Sequence, residues 1–328
     1  MKRRGFLLLA GAAAAWPLAA RAEPAHRVGV LVGLSTGPEA PGAQSLLKPF
    51  REAMREAGWV EGENVSVDYR FGGSLNDLAR TRASAAELVA LKPDVIYAQG
   101  LPASLALHAE TKTIPIVFTQ VIDPVGFHLA QSLGHPGGNV TGFITWDFEI
   151  AGKWMQLLHE LVPARRRCGI IYNPDTAPYA PGLVAAAKAA AAGVEVVELR
   201  THDDAGVDAA LDDLGHTPNS GVLVIPEPFA NAHRDHIIAA CARLRLPALV
   251  SLLGAMEAGA LMSYTFVWDE LVRAPVGYID RILRGASPTD LPIQAPSRYE
   301  LVISLKTAKQ LGLDVPTSLL ARADRVIE

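Results

Sequence analysis

Short runs of β-branched and aliphatic residues alternate with longer segments of helical spacing through most of the chain. Residues 27–33 form an apolar run that ends at a glycine, which is typical of a buried parallel strand. Residues 43–57 carry apolar side chains at helical spacing and stop at Gly58, a signal for a helix end. The alternation continues with predicted strands at 64–69, 95–98 and 114–119, and with predicted helices at 77–91 and 102–110.

The second half of the chain repeats this order. Gly169 corresponds to Gly29 and Pro247 to Pro115, at offsets of 140 and 132 residues. Offsets of this size indicate duplication of a whole domain and not a solenoid repeat. The predicted strands of the second half are 167–173, 194–199, 221–225 and 247–251, and its predicted helices are 180–192, 206–214 and 230–244.

Alternating strands and helices predict parallel sheets with helices on both faces. We therefore predict an α/β chain with two doubly wound, Rossmann-like lobes. A strand with a helix at 261–283 and a strand–helix pair at 299–311 would complete the two sheets, so the chain would cross between the lobes more than once. The predicted first lobe is 26–143 plus 264–290, and the predicted second lobe is 144–263 plus 291–328.

The first 22 residues have the pattern of an export signal. Met1–Arg4 is basic, Gly5–Ala20 is apolar, and Ala20–Ala22 forms an A-x-A cleavage motif. We predict cleavage after Ala22 and a periplasmic mature protein. Lys2–Leu7 resembles a twin-arginine signal, so the Sec and Tat routes both stay open.

Composition and charge narrow the classes of partner. The chain is 50% hydrophobic, which excludes a disordered chain. Its length of 328 residues favours about two domains. Residues 1–22 hold four basic residues and no acidic ones, so the mature chain has 26 basic against 34 acidic residues, a net charge of −8. Without a basic cluster, nucleic acid and anionic membranes are not expected as partners. Whether the two cysteines, Cys168 and Cys241, pair stays open.

Ligands of open α/β sheets bind beyond the carboxyl ends of the strands. The segment 102–104 is the sharpest candidate, because a helix start with Pro102 and Ser104 offers N–H groups and a hydroxyl to a carboxylate. A helix start without a ligand is the alternative. The full set of candidate ligand-binding residues is Ser35, Thr36, Leu101, Ala103, Ser104, Thr119, Asp123, Trp146, Tyr172, Asn173, Glu227 and Ser251.

Two carboxylates in this set have a structural alternative. Glu227 lies between two prolines just after a predicted strand, where it can pair with a ligand ammonium or cap the next helix. Asp123 precedes Pro124, and aspartate before proline is commonly a turn residue. Both residues are retained as candidates, and Glu227 is the candidate partner of the ammonium group if the ligand is an amino acid.

Motifs for catalysis, nucleotides and metals are weak or missing from the sequence. Residues 33–37 match G-x-S-x-G around Ser35, but the next predicted helix starts later than a nucleophile elbow requires. The sequence has no G-x-G-x-x-G and no P-loop. His233 and His236 form a close pair without a third clustered ligand. We expect no enzyme activity, no cofactor and no metal, and a secreted hydrolase using Ser35 is the least favoured alternative.

Several segments together resemble one family of transport proteins. The segments from Asp123 to Gly126 and from Pro136 to Gly142 are the most specific, and the others are Phe50–Ala53, Gly58–Val65, Lys92–Ile96, Ile114–Phe118 and Leu305–Leu313. On these segments the mature chain resembles the periplasmic substrate-binding components of ABC transporters, in the branch that includes tryptophan- and tyrosine-type binding proteins.

The resemblance implies the type I periplasmic-binding-protein fold, in which two lobes joined by a multi-stranded hinge close on a small solute. It also implies a permease partner in the inner membrane and no catalysis. Family members often carry Thr-Pro-Ala where this chain has Leu101-Pro102-Ala103, so one hydroxyl of the family pattern is lost here. We predict a monomeric solute-binding protein that delivers a small organic carboxylate, an amino acid or an aromatic acid, to an ABC importer. The alternative is a ligand-sensing protein that serves a receptor.

Overall fold

The computed structural model describes residues 26–33, 35–73 and 77–328. The predicted signal peptide, residues 1–22, lies outside this part of the chain. Within the described ranges, no helix combines the length and the apolar character that a membrane span needs.

The first lobe contains a sheet of five parallel strands. Its strands are β1 (His26–Val32), β2 (Val65–Phe71), β3 (Val95–Gln99), β4 (Ile116–Val121) and β5 (Val140–Ile144), with helices α1 (Pro41–Glu56), α2 (Leu78–Ala90) and α3 (Leu101–Glu110) between them. The spatial order is β2-β1-β3-β4-β5. Alternate residues of β3 enter two apolar clusters, with Tyr97 on the α1 face and Ile96 on the α3 face, so the sheet is buried on both sides.

The second lobe contains a larger sheet of seven strands. Its strand order is β12-β11-β10-β9-β8-β6-β7, and only the β10–β11 pair is antiparallel among the described strands. In chain order the elements are α4 (Ile150–Leu161), β6 (Arg167–Tyr172), α5 (Ala180–Ala189), β7 (Glu195–Arg200), α6 (Asp204–Gly215), β8 (Ser220–Val224), α7 (Pro228–Ala232), α8 (Arg234–Arg243), β9 (Ala248–Val250), β10 (Met262–Phe266), α9 (Trp268–Leu283), a 3₁₀ turn (Pro288–Asp290), β11 (Tyr299–Ser304), α10 (Leu305–Leu311), α11 (Thr317–Leu320) and β12 (Arg325–Ile327).

The two sheets confirm the predicted duplication. The order β2-β1-β3-β4-β5 of the first sheet recurs in the second as β7-β6-β8-β9-β10. The predicted fold class, two doubly wound Rossmann-like lobes with several crossovers, is therefore confirmed.

Two details of the predicted element list are wrong. No element was predicted between residues 120 and 166, yet β5 and α4 lie there. Strand β5 was obscured by Gly142, because an internal glycine weakens a strand pattern. The single helix predicted at 230–244 is two helices, because the backbone at His233 (φ −102°, ψ 15°) leaves the helical conformation.

Three segments join the lobes. The first runs from β5 to α4, and the second from β10 of the second sheet to α9, which packs on α1 of the first lobe through a bond from Trp268 Nε1 to Ser45 O at 3.0 Å. The third runs from Gln294, at the edge of the first sheet, to Tyr299, where β11 of the second sheet begins. Gln294 lies at the first sheet because its backbone N–H donates to Gly142 O at 3.1 Å.

These pairings shift two of the predicted lobe boundaries. Residues 264–266 were placed in the first lobe but pair within the second sheet, where Tyr264 faces Leu301. Residues 291–294 were placed in the second lobe but extend the edge of the first sheet beside Phe143. In each case a few residues belong to the lobe of the strand with which they pair. The spacing of apolar residues along the chain does not show that pairing.

Candidate functional site

The carboxyl ends of both sheets lie beside the crossing segments. The first crossing leaves β5 at its carboxyl end, after Ile144, and the second leaves β10 at its carboxyl end, after Phe266. The space between the two sets of strand ends is therefore the candidate ligand cleft.

In the first lobe, the end of β1 lies very close to the end of β3 and the start of α3. A Cβ atom on Gly33 would lie 2.3 Å from Gln99 O and 2.8 Å from Ala103 Cβ, so only glycine lets the end of β1 approach β3 and α3 this closely. The N-cap residue Gly100 has φ 83° and supplies no side-chain cap. The N–H groups of the first turn and the positive end of the helix dipole can therefore meet an anion.

Ser104 does not offer its hydroxyl proton to the cleft. It is fully buried, and its Oγ donates to Gly100 O at 2.8 Å within the helix. Serine in a helix often bonds to the carbonyl four residues earlier, and that local bond wins here. In the same turn Ala103 is buried and Leu101 is half-buried, so the polar groups that this turn can offer are backbone N–H groups.

Three other predicted hydroxyls are also used inside the protein. Ser35 Oγ donates to Gly37 O at 3.0 Å, and Thr119 Oγ1 donates to Leu271 O at 3.0 Å. Ser251 Oγ donates to Tyr264 O at 2.9 Å. These bonds fix loops and the second crossing, whereas we predicted hydroxyls that face a ligand. Thr36 is the exposed member of the predicted set.

Glu227 caps a helix, which is the structural alternative that the sequence analysis left open for it. Its carboxylate accepts the N–H groups of Phe229 and Ala230, both at 2.7 Å, at the start of α7. It also accepts the hydroxyl of Thr176 at 2.6 Å and the N–H of Asn173 at 3.4 Å. Burial raises the pKa of Glu227, although the four hydrogen bonds act in the opposite direction. The oxygens are occupied, and none is left for a ligand ammonium.

Tyr172 and Asn173 hold the end of β6 in place. The Tyr172 hydroxyl donates to Glu198 Oε2 at 2.7 Å on the neighbouring strand β7. Asn173 Oδ1 accepts the N–H of Asp175 at 2.8 Å and closes a turn. The predicted second-lobe contacts are thus tied into their own lobe in this conformation.

Asp123 and Trp146 also have structural partners. Asp123 Oδ1 accepts the N–H of Gly126 at 2.8 Å, the turn role that we weighed against ligand contact. Trp146 is 1% exposed and packs edge-on against Trp154 and Tyr179, at 6.1 Å and 5.6 Å between ring centroids. Trp146 therefore anchors the first crossing in the core.

An amide pair that the sequence analysis missed lies at the ends of β3 and β4. Gln99 Nε2 donates to Gln120 Oε1 at 2.7 Å. Gln99 is 4% exposed, and its Oε1 has no hydrogen-bond partner in the described part of the chain. Gln120 is half-buried with φ 56°, at a register shift between Thr119 and Val121. In the sequence, the one sign of this pair is the position of Gln99, two residues before the start of α3.

The comparison with known proteins decides the family. A family model described as ABC transporter substrate binding protein matches residues 28–327. The chain belongs to this family. The resemblance found in the sequence is therefore confirmed.

Solved and curated relatives agree with the family. A tyrosine-binding protein of Clostridioides difficile strain R20291 is 29% identical over 291 residues, covering 86% of this chain and 81% of the relative. A conserved domain protein of Vibrio cholerae is 28% identical with a TM-score of 0.77, over 92% of this chain and 99% of the other. A Streptococcus pneumoniae ABC domain in complex with L-Trp is 24% identical, with the same TM-score and coverage, and supports the fold.

The alternatives to a substrate-binding protein have little geometric support. After Ser35 the helix starts only at Pro41, so the G-x-S-x-G segment lacks the strand-to-helix turn of a nucleophile elbow. In the described ranges, no group of three or more His, Cys, Asp or Glu side chains is arranged to hold a metal. His233 instead contacts Asp204 at 2.6 Å.

The cysteines of this substrate-binding protein are not paired. Both are buried and free, and they lie in apolar clusters on opposite faces of the second sheet, Cys168 on β6 and Cys241 on α8. The question that the sequence left open is therefore settled against a disulfide in this conformation.

The role of Tyr172 can be tested through the pKa of its partner. Hydrogen bonds from Tyr172, Arg200 and Lys188 lower the pKa of Glu198 from 4.5 to about 2. Because the folded-state value is depressed, this carboxylate stabilises the fold above about pH 4.5, and the contribution is lost as the pH falls towards 2. We expect Tyr172→Phe to raise the pKa of Glu198 in a ¹³C NMR titration.

Tyr179→Phe is the matched control, because the Tyr179 hydroxyl donates to Pro226 O at 3.0 Å and does not contact Glu198. A pKa of Glu198 that stays the same in Tyr172→Phe would contradict the assigned bond.

Proposed function

We propose that this substrate-binding protein binds a small organic carboxylate, an amino acid or an aromatic acid, in the cleft between its lobes and delivers it to an ABC importer. The uncapped start of α3, held against the end of β1 by Gly33, carries the proposal. Orphan backbone N–H groups at a helix start suit a carboxylate. The tyrosine-binding relative and the relative in complex with L-Trp support an aromatic amino acid as one member of this class.

Closure of the lobes would complete the site. The three crossing segments form the hinge, and a solute that contacts both sets of strand ends stabilises the closed form by shifting the population of conformations. The second lobe would contribute chain from the loop after β6 and the loop before α7. Because Glu227 ties these two loops together, they would move towards the solute as one unit.

Delivery to a permease in the inner membrane, a periplasmic location and a monomeric state are part of the same proposal. The family to which the chain belongs and the predicted cleavage after Ala22 support the first two. A protein that presents the same closed cleft to a receptor is the second candidate. Solute uptake by cells that lack this protein separates the two candidates, because uptake falls only if the protein delivers its solute to a transporter.

A thermal-shift screen tests the class of solute. The panel pairs each L-amino acid with its deamino acid and includes sugars and polyols as controls. A true solute at roughly 100 times its Kd should add about 2.7 kcal/mol of stability and raise Tm by several degrees. Stabilisation by carboxylates supports the proposal. Stabilisation by sugars or polyols alone would refute it.

A further inference from the structure

We infer that Gln99 and Gln120 form the element of the cleft that recognises an α-amino acid through its ammonium group and thereby rejects the deamino acid. The inference rests on the proposed function and deepens it, because the proposed function leaves amino acids and plain aromatic acids equally open.

The first observation is the unpaired oxygen of Gln99. This residue ends β3 and is 4% exposed, and among the described residues nothing donates to its Oε1. Burying an acceptor without a partner is unfavourable, so an orphaned atom of this kind in a native fold requires an explanation. A ligand donor that arrives in the cleft supplies the missing partner.

The second observation is the conformation of Gln120. A non-glycine residue at φ 56° within a strand is uncommon, and the register of β4 against β5 shifts at this residue. Irregularities of this type re-aim side chains beside binding sites. Here the result is that the Gln120 side chain reaches across to Gln99 and stays half-exposed.

Together the two amides present one acceptor and one NH₂ group. The bond from Gln99 Nε2 to Gln120 Oε1 leaves Gln99 Oε1 as acceptor and Gln120 Nε2 as donor. Exchanging oxygen and nitrogen in both amides leaves the same inventory with the roles swapped. In either orientation the pair offers one acceptor to an ammonium, which is Gln99 Oε1 as observed and Gln120 Oε1 if both amides are exchanged.

The pair lies next to the anion site, since α3 begins at Leu101, two residues after Gln99. An α-amino acid carries its carboxylate and its ammonium on the same carbon atom. With the carboxylate at the start of α3, the ammonium falls beside the amide pair. A deamino acid in the same place leaves the buried oxygen unpaired.

Contact with the Gln99 oxygen requires a small rearrangement. Solvent does not reach this atom in the present conformation, so the amide pair must rotate when the solute enters. Gln120, the more exposed partner, is the side chain that can turn towards the cleft. Glu227, the carboxylate predicted for the ammonium, is excluded by its four internal hydrogen bonds.

Calorimetry with L-tyrosine and 3-(4-hydroxyphenyl)propionate, which differ only in the amino group, tests the inference. The wild-type protein should bind L-tyrosine at least 10-fold more tightly. Gln99→Leu should reduce this ratio roughly 10-fold, the equivalent of one charge-assisted hydrogen bond, and leave the affinity for the deamino acid nearly unchanged. Gln99→Glu, which keeps the shape and adds a negative charge, should increase the ratio.

Gln156→Leu is the matched control, because Gln156 is exposed on α4 and its amide bonds to Glu160 at 2.9 Å. An equal loss of both ligands in Gln99→Leu would overturn the inference and assign Gln99 a structural role. Wild-type protein that binds deamino acids as tightly as amino acids, or binds no amino acid in the paired panel, would also overturn it. The proposed function fails only if the whole panel of carboxylates fails.

Discussion

Gly142→Ala is expected to lower the free energy of unfolding by about 3 kcal/mol or more. Gly142 lies inside β5 at φ 152°, a backbone conformation that side chains disfavour. An added Cβ would lie 2.2 Å from Phe118 O and 2.7 Å from Phe118 N on the neighbouring strand. Neither atom can give way without moving β4. Urea unfolding followed by circular dichroism measures the loss.

Gly152→Ala is the control for the same chemical change. Gly152 is in helix α4, and its nearest neighbour would be Ala190 Cβ at 3.5 Å, an ordinary contact. Alanine is favoured over glycine inside a helix, so this variant should gain about 0.5–1 kcal/mol. Equal stability of the two variants would show that the approach of β4 to β5 does not require glycine.

Trp154→Ala is expected to cost about 3–5 kcal/mol, the range for removing a large aromatic side chain from a core. Trp154 is 1% exposed on α4 and donates from Nε1 to Tyr264 O at 3.1 Å. Its ring also packs against Trp146 of the first crossing. The substitution should therefore loosen the junction where the chain enters the second lobe, and the unfolding midpoint should fall.

Trp154→Phe separates packing from hydrogen bonding. It keeps most of the ring volume and removes the N–H donor, while Tyr264 O still accepts the Ser251 hydroxyl at 2.9 Å. We expect a loss of about 1–2 kcal/mol. If Trp154→Phe cost as much as Trp154→Ala, the single hydrogen bond and not the packing would dominate.

The alternation of apolar strands and amphipathic helices predicts the two lobes, because strands that helices cover on both faces are apolar along their whole length. The lobe boundaries follow less well. Whether Tyr264 belongs to one sheet or the other depends on pairing with Leu301, far along the chain, and such pairing leaves no local trace. Gly142 shows the same limit, because glycine is required there by the close backbone of Phe118 on the neighbouring strand, which the sequence does not reveal.

The candidate site was predicted only in outline. The start of α3 follows from Pro102 and the preceding glycine, which are local signals. We overestimated the number of hydroxyls that would face a ligand, because a serine or threonine at a strand end can donate to a backbone carbonyl as readily as to a ligand. Thr119 shows this, since its partner Leu271 O comes from a helix 152 residues away. The unpaired oxygen of Gln99 is a property of the assembled core, and the sequence does not display it.

The first lobe is the first to be synthesised, yet it is completed only after most of the second lobe has followed. Helix α9 covers one face of its sheet, yet Trp268 meets Ser45 across 223 residues and Asp280 meets Trp59 across 221. Contacts between residues so far apart in sequence form slowly, because the chain loses the entropy of a long loop before these contacts stabilise it. The apolar face around Phe50 and Tyr97 therefore stays uncovered until nearly the whole chain has emerged. That interval is the period in which the unfinished polypeptide is most exposed to aggregation.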